Sequence, residues 1–90
     1  MKKGIITVVG KDQVGIIASV CTYLAENKIN ILDISQTIVQ DYFNMMMIVD
    51  VNKIDKPFED VVDELNQLGN KIGVKIRLQH EDIFNKMHRI

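Results

Sequence analysis

The sequence predicts an α+β domain in which a four-stranded antiparallel sheet carries two helices on one face. Three observations lead there. Runs with a two-residue hydrophobic period are interspersed with two longer runs of helical spacing, in the order βαββαβ. Ninety residues fit one hydrophobic core and leave no room for a second. The first and third strands are apolar on both sides and belong in the centre of the sheet, whereas the second and fourth alternate and belong at its edges.

Each element follows from its local pattern. Residues 4–10 read as a strand too apolar to expose either face. A helix over Val14–Glu26 follows, with Val14, Ile17, Cys21 and Leu24 on one stripe, Val20 beside them, and Asn27-Lys28 as its end. In the strand from Ile29 to Gln40, Leu32, Ile34 and Ile38 face one way while Asp33, Ser35 and Thr37 face the other. A turn near Asp41-Tyr42 leads into the strand from Phe43 to Val51, where Met45, Met46 and Met47 read as central-strand packing. Pro57 suits the first turn of a second helix, with Glu59 and Asp60 at its positive end. Phe58, Val61, Val62, Leu65, Leu68 and Ile72 form its stripe, Gly69 is expected to fray or bend its last turn, and Gly73 closes it. Val74, Ile76 and Leu78 then alternate with Lys75, Arg77 and Gln79 as the fourth strand, and a short helix is expected over Glu81–His88. Right-handed crossovers put both helices on one face and set the strand order as 4-1-3-2, the split-βαβ, ferredoxin-like arrangement. Residues 1–90 thus read as one domain, with a core over 4–80 and an extension over 81–90.

Composition narrows the function. A formal net charge of −1 gives no electrostatic footprint for nucleic acid or an anionic membrane. The apolar runs are too short to span a bilayer, and Met1-Lys2-Lys3 enters the first strand without a cleavage-like site. Cys21 stands alone, which fits a reducing, cytoplasmic setting and a core position. His80, Glu81, Asp82 and His88 match no tetrahedral metal spacing, and no other pattern implies a cofactor. Ser35 and Thr37 have no nearby histidine to activate them, so no enzyme is expected. Among proteins of this fold, a copper chaperone needs two thiols in the first loop and an acylphosphatase-like enzyme needs an arginine there. An RNA-recognition domain needs aromatics on the central strands. The first loop has neither cysteine nor arginine, its only cation being Lys11, and the central strands offer Ile5 to Val9 and a run of methionines, with Phe43 only at the start.

What remains is the loop Gly10-Lys11-Asp12-Gln13-Val14-Gly15-Ile16 between the first strand and the first helix. Gly10 can turn sharply, Asp12 is the expected N-cap, and Gly15 falls in the first helical turn. A helix start with open N–H groups and no overhanging side chains suits a small carboxylate. The same glycines also fit a mere tight connection, and Asn30 fits a residue that satisfies backbone groups at a strand start.

The string strand–Gly-x-Asp-x-x-Gly-Ile–helix, followed by Asn30-Ile31 and a methionine-rich third strand, resembles an ACT domain over residues 4–80. The whole length, through Met87-His88-Arg89-Ile90, is similar to stand-alone single-ACT-domain proteins with no assigned reaction. The resemblance implies a non-catalytic regulatory domain that binds an amino acid between two chains. It places the ligand carboxylate near Gly10, Asp12, Gln13, Val14, Gly15 and Ile16, and the amino group near Asn30 and Ile31 of a second copy. Val14 departs from the proline or small polar residue frequent at that place, which narrows the pocket or favours an apolar ligand side chain. A homodimer through the second-strand edge and the first helix is expected, acting on a protein target that the sequence does not identify. The alternative is an assembly module that uses the same surfaces without any small molecule.

Overall fold

The computed structural model describes residues 2–82. Strand β1 (Lys3–Lys11) leads to helix α1 (Ile16–Glu26), and strand β2 (Asn30–Val39) turns through Gln40 and Asp41 into β3 (Tyr42–Asp50). Helix α2 (Phe58–Ile72) and strand β4 (Val74–His80) complete the βαββαβ order. All three pairings are antiparallel, and the sheet runs β2-β3-β1-β4, the expected order read from the other edge. The helix expected over residues 81–88 lies largely outside the described residues.

The core fills the space between the sheet and the two helices. Ile6 and Val8 of β1, Met45, Met47 and Val49 of β3, and Ile76 and Leu78 of β4 meet Val20 and Leu24 of α1 and Val61 and Leu65 of α2. The opposite face of the sheet is open. There the expectation that the central strands hide both faces fails: Val9 is 49% and Met46 is 41% exposed, although Ile5 on the same face is buried. Alternation marks which residues could be covered, and two helices suffice to cover one face.

Three local corrections concern the helices and β2. Helix α1 buries Ile16, Val20 and Leu24, leaving Ile17 exposed, Cys21 half-buried and Val14 fully exposed outside the helix. Helix α2 does not fray at Gly69 but runs through it to Ile72. Gly69 is buried, and a Cβ there would stand 2.6 Å from the Val74 carbonyl oxygen, so glycine is what lets α2 lie directly on the start of β4. Gly73 closes α2 in the left-handed region, φ 81°, as expected. Along β2 the register shifts between Ile31 and Asp33, which makes Leu32 the extra residue of a bulge.

A polar clamp ties the helices together. The Tyr23 hydroxyl of α1 donates to Glu64 Oε1 of α2 at 2.7 Å, and Lys56 Nζ donates to the same carboxylate at 3.0 Å. Burial, and then the neighbouring carboxylate, hold the Tyr23 phenol well above its ordinary range. The hydrogen bond from Tyr23, with Lys56 beside it, holds Glu64 below the usual carboxylate range.

Candidate functional site

The β1–α1 loop is held from two sides through its own main chain and one side chain. Asp12 does not cap α1; its backbone N–H donates to the Asp41 carbonyl at 2.7 Å and pins the loop to the β2–β3 hairpin. The Gln13 side-chain amide donates to the Ile72 carbonyl, one of the terminal acceptors of α2 that lack helical partners. Neither contact has a sequence signal, because Gln13 and Ile72 are 59 residues apart.

Helix α1 begins instead at Gly15, its N-cap residue, in the left-handed region at φ 97°. No side chain caps this end, and the Ser19 N–H, donating to Gly15 O at 2.9 Å, starts the helical ladder. The amides of Ile16, Ile17 and Ala18 precede it at the positive end of the helix dipole. A Cβ on Gly15 would meet nothing within 4 Å, so the space above these amides is open. Lys11 through Gly15 are exposed, whereas the Ile16 side chain is in the core and offers only its backbone outward. Gly10 is half-buried, and a Cβ there would sit 2.7 Å from Val74 Cγ1, so this glycine serves close packing of β1 on β4.

Asn30 and Ile31 lie at the other end of the sheet. Asn30 stands in line with Asp50 and Lys3, while Gly10 stands in line with Phe43 and Ile38. Seven ladder steps separate them, roughly 23 Å at the rise of about 3.3 Å per residue. Exposed Asn30 borders a shallow cleft of about 350 Å³ shared with Lys28, Ile29, Asp50 and Lys53, and Ile31 is half-buried. One chain therefore does not bring the two halves of the expected site together.

Between these ends runs the uncovered part of β2. Ile34 lies opposite buried Met47 and Ile38 opposite buried Phe43, so both project to the helix side of the sheet. They are nevertheless 46% and 53% exposed. Tyr23 of α1 faces α2, which leaves Ile17 and Cys21 on the flank of α1 turned away from α2.

A match to the ACT-domain family model covers residues 4–79. The chain belongs to the ACT-domain family. A UPF0237 protein of Bifidobacterium longum is 63% identical over the full length of both chains. An ACT domain protein from Streptococcus pneumoniae superposes with a TM-score of 0.82 at 43% identity, covering 92% of this chain and 93% of that one. The regulatory subunit of aspartate kinase from Thermus thermophilus superposes at 0.66 with 25% identity, over 87% of this chain and 50% of that one. Among the described residues of this ACT domain, no helix is long and apolar enough to cross a membrane. Within the same residues no cluster of three His, Cys, Asp or Glu side chains is disposed to hold a metal; His80 stacks on Phe58 at 3.8 Å, and His88 lies outside them.

Proposed function

We propose that this ACT domain is a non-catalytic regulatory module that binds a free amino acid at the interface of a homodimer, acting in trans on a protein target. The observation that carries the reading is the apolar half of β2, where Ile34 and Ile38 project to the helix side yet stay half exposed. Side-by-side antiparallel pairing of β2 with its copy would satisfy that edge and cover these residues, with the Ile17 and Cys21 flank of α1 alongside. A two-fold axis near Ile34 and Ser35 would set Asn30 of the second copy opposite Val39. Val39 shares its row with Tyr42 and Lys11, next to the β1–α1 loop. The two separated halves of the site then meet, twice per dimer. In that arrangement the amides following Gly15 receive the carboxylate, Asp12 and Gln13 hold the loop through their contacts with Asp41 and Ile72, and Asn30 accepts from the ammonium group. Val14 borders the ligand side chain. The regulatory role named for the aspartate kinase subunit of the same fold supports the assignment.

Calorimetry across the twenty amino acids tests the reading, with Val14→Glu as the decisive variant. Val14 is fully exposed, so the substitution leaves folding intact while adding a negative charge beside the carboxylate position. Saturable binding by native protein and a loss of about tenfold or more in the variant are expected, since like charges at close range cost about 1–2 kcal/mol at partly screened sites. Silence across the panel from an intact dimer would instead establish the assembly module without a ligand. Unchanged affinity in Val14→Glu would remove the loop from the site.

A further inference from the structure

Between its bulge and the hairpin, the edge of β2 turns three backbone donors outward, and one of them is already occupied. Val39 and Tyr42 close the two-residue turn of Gln40 and Asp41, where Gln40 takes the left-handed region at φ 56°. The closing pair of such a hairpin exchanges both of its N–H···O bonds, and bonded and non-bonded pairs alternate from there. Thr37, Ser35 and Asp33 therefore turn their backbone groups toward β3, whereas Ile38, Gln36 and Ile34 turn theirs toward the open edge. Among the described residues, no side chain accepts from the N–H of Gln36 or Ile38. The N–H of Ile34 donates to Asp33 Oδ1 at 2.8 Å.

The bulge accounts for the carboxylate being there. Leu32 is the extra residue of β2, and a bulge adds local twist that re-aims the side chain beside it. Asp33 follows directly, and its short acidic side chain is of the kind that bonds a neighbouring backbone N–H. A charged group seated on an edge donor is also one of the devices by which soluble proteins blunt an edge strand.

Ile34 is central to the β2 pairing proposed above. A two-fold axis at Ser35 sets Ile34 opposite Gln36 of the second copy, and both residues project to the helix side, as directly opposed residues must. That pair exchanges two ladder bonds, and symmetry supplies two more. Half of these four central bonds need an Ile34 N–H that Asp33 holds in the lone chain.

We propose, resting on that pairing, that Asp33 is a brake on it: each carboxylate holds the Ile34 N–H of its own chain until the Gln36 carbonyl of the second copy replaces it. A ligand bound between two copies adds its binding free energy to the paired state alone, so on a braked edge the dimer population follows the ligand. Charge repulsion is the other way for Asp33 to oppose pairing. With the axis at Ser35, the two Asp33 residues stand four ladder steps apart, roughly 13 Å at about 3.3 Å per residue. That is beyond the screening length of about 8–10 Å at moderate salt, so the hydrogen bond is the stronger effect.

Sedimentation over a dilution series, without any ligand, gives the dimer dissociation constant of the native chain and three variants. Asp33→Ala removes the acceptor, and Asp33→Glu keeps the charge but sets it one carbon too far to return to the next N–H. Each is expected to tighten the dimer about tenfold, about threefold for each of two released contacts. Asp33→Asn keeps an acceptor oxygen at the same reach and should stay near the native value. Asp33 is exposed, so in chains kept single by Ile38→Glu the melting curves of all three should overlay. In that same single chain, the Ile34 amide proton should move upfield in the nuclear magnetic resonance spectrum on Asp33→Ala. The Gln36 amide, equally outward but uncovered, should stay in place. An unmoved Ile34 amide would overturn the proposal. Unchanged dissociation constants in Asp33→Ala and Asp33→Glu, for a dimer that Ile38→Glu abolishes, would overturn the brake and leave the β2 pairing standing. Tightening in Asp33→Ala and Asp33→Asn but not in Asp33→Glu would replace the brake with charge repulsion. A native chain and variants that stay single at every concentration, or a dimer indifferent to Ile38→Glu, would overturn the pairing and the brake together.

Discussion

The two edge strands look alike in sequence and end up in opposite situations. β4 alternates Val74, Ile76 and Leu78 with Lys75, Arg77 and Gln79, and α2 packs across its inner face, burying all three apolar residues. β2 alternates Ile34 and Ile38 with Ser35 and Thr37, yet the same inner face stays half exposed. The difference lies in the helices. Gly69 lets α2 approach β4 to backbone contact, whereas α1 buries only Ile16, Val20 and Leu24 and leaves Ile17 outside. The open face repeats the contrast: β4 carries two cations, a feature that discourages edge pairing, and β2 carries neither lysine nor proline. β4 is an edge finished within the chain. β2 is an edge that the chain by itself leaves open.

The largest effect that would break this comparison is a matched pair of truncations. Ile76→Ala should destabilise the chain by about 2–5 kcal/mol, the usual range for emptying a packed core position. Ile38→Ala should change the stability of the dissociated chain by no more than about 0.5 kcal/mol, as for an exposed position. Urea denaturation at high dilution measures both, and similar losses at the two sites would mean that β2 is finished internally after all.

A smaller effect sharpens the helix side of the contrast. Glu64 joins α2 to α1 through Tyr23, and its carboxyl lies below the usual range because that hydrogen bond and Lys56 favour the charged form. A lowered folded-state pKa contributes stability that is complete above the ordinary carboxylate range and is lost as pH falls through the lowered value. The melting temperature should therefore drop across that acidic interval, and Glu64→Gln should flatten the dependence. The step should be modest, since the Glu64 side chain is 39% exposed.

Most of the fold was legible because hydrophobic period and burial are the same fact seen twice. Both-sided apolarity put β1 and β3 in the centre, and Pro57 and Gly73 bracketed α2 to within a residue. Failures came where two patterns shared residues or where contacts crossed the chain. Positions 14, 17, 21 and 24 and positions 16, 20 and 24 both satisfy helical spacing through Leu24, and only the later start at Ile16 decides between them. Asp12 offered a familiar cap, but Gly15 enters the helix through a left-handed conformation open to glycine, which leaves the amides uncapped. The bulge at Leu32, the tie from Gln13 to α2 and the tight seat of Gly69 depend on partners tens of residues away. Of the candidate site, the loop was visible as a string, while its separation from Asn30 required the strand register.

The most direct measurement of the central claim is sedimentation of the native chain beside the double variant Ile34→Glu with Ile38→Glu. Both side chains are half exposed, so the variant should fold, with a circular-dichroism spectrum matching the native one. The account predicts that at micromolar concentration the native protein sediments at twice the 10.3 kDa mass of one chain and the variant at the mass of one. A native protein that sediments as a single chain with its amino-acid ligand present, or a folded variant that remains a dimer, would contradict the claim that β2 is completed by its own copy.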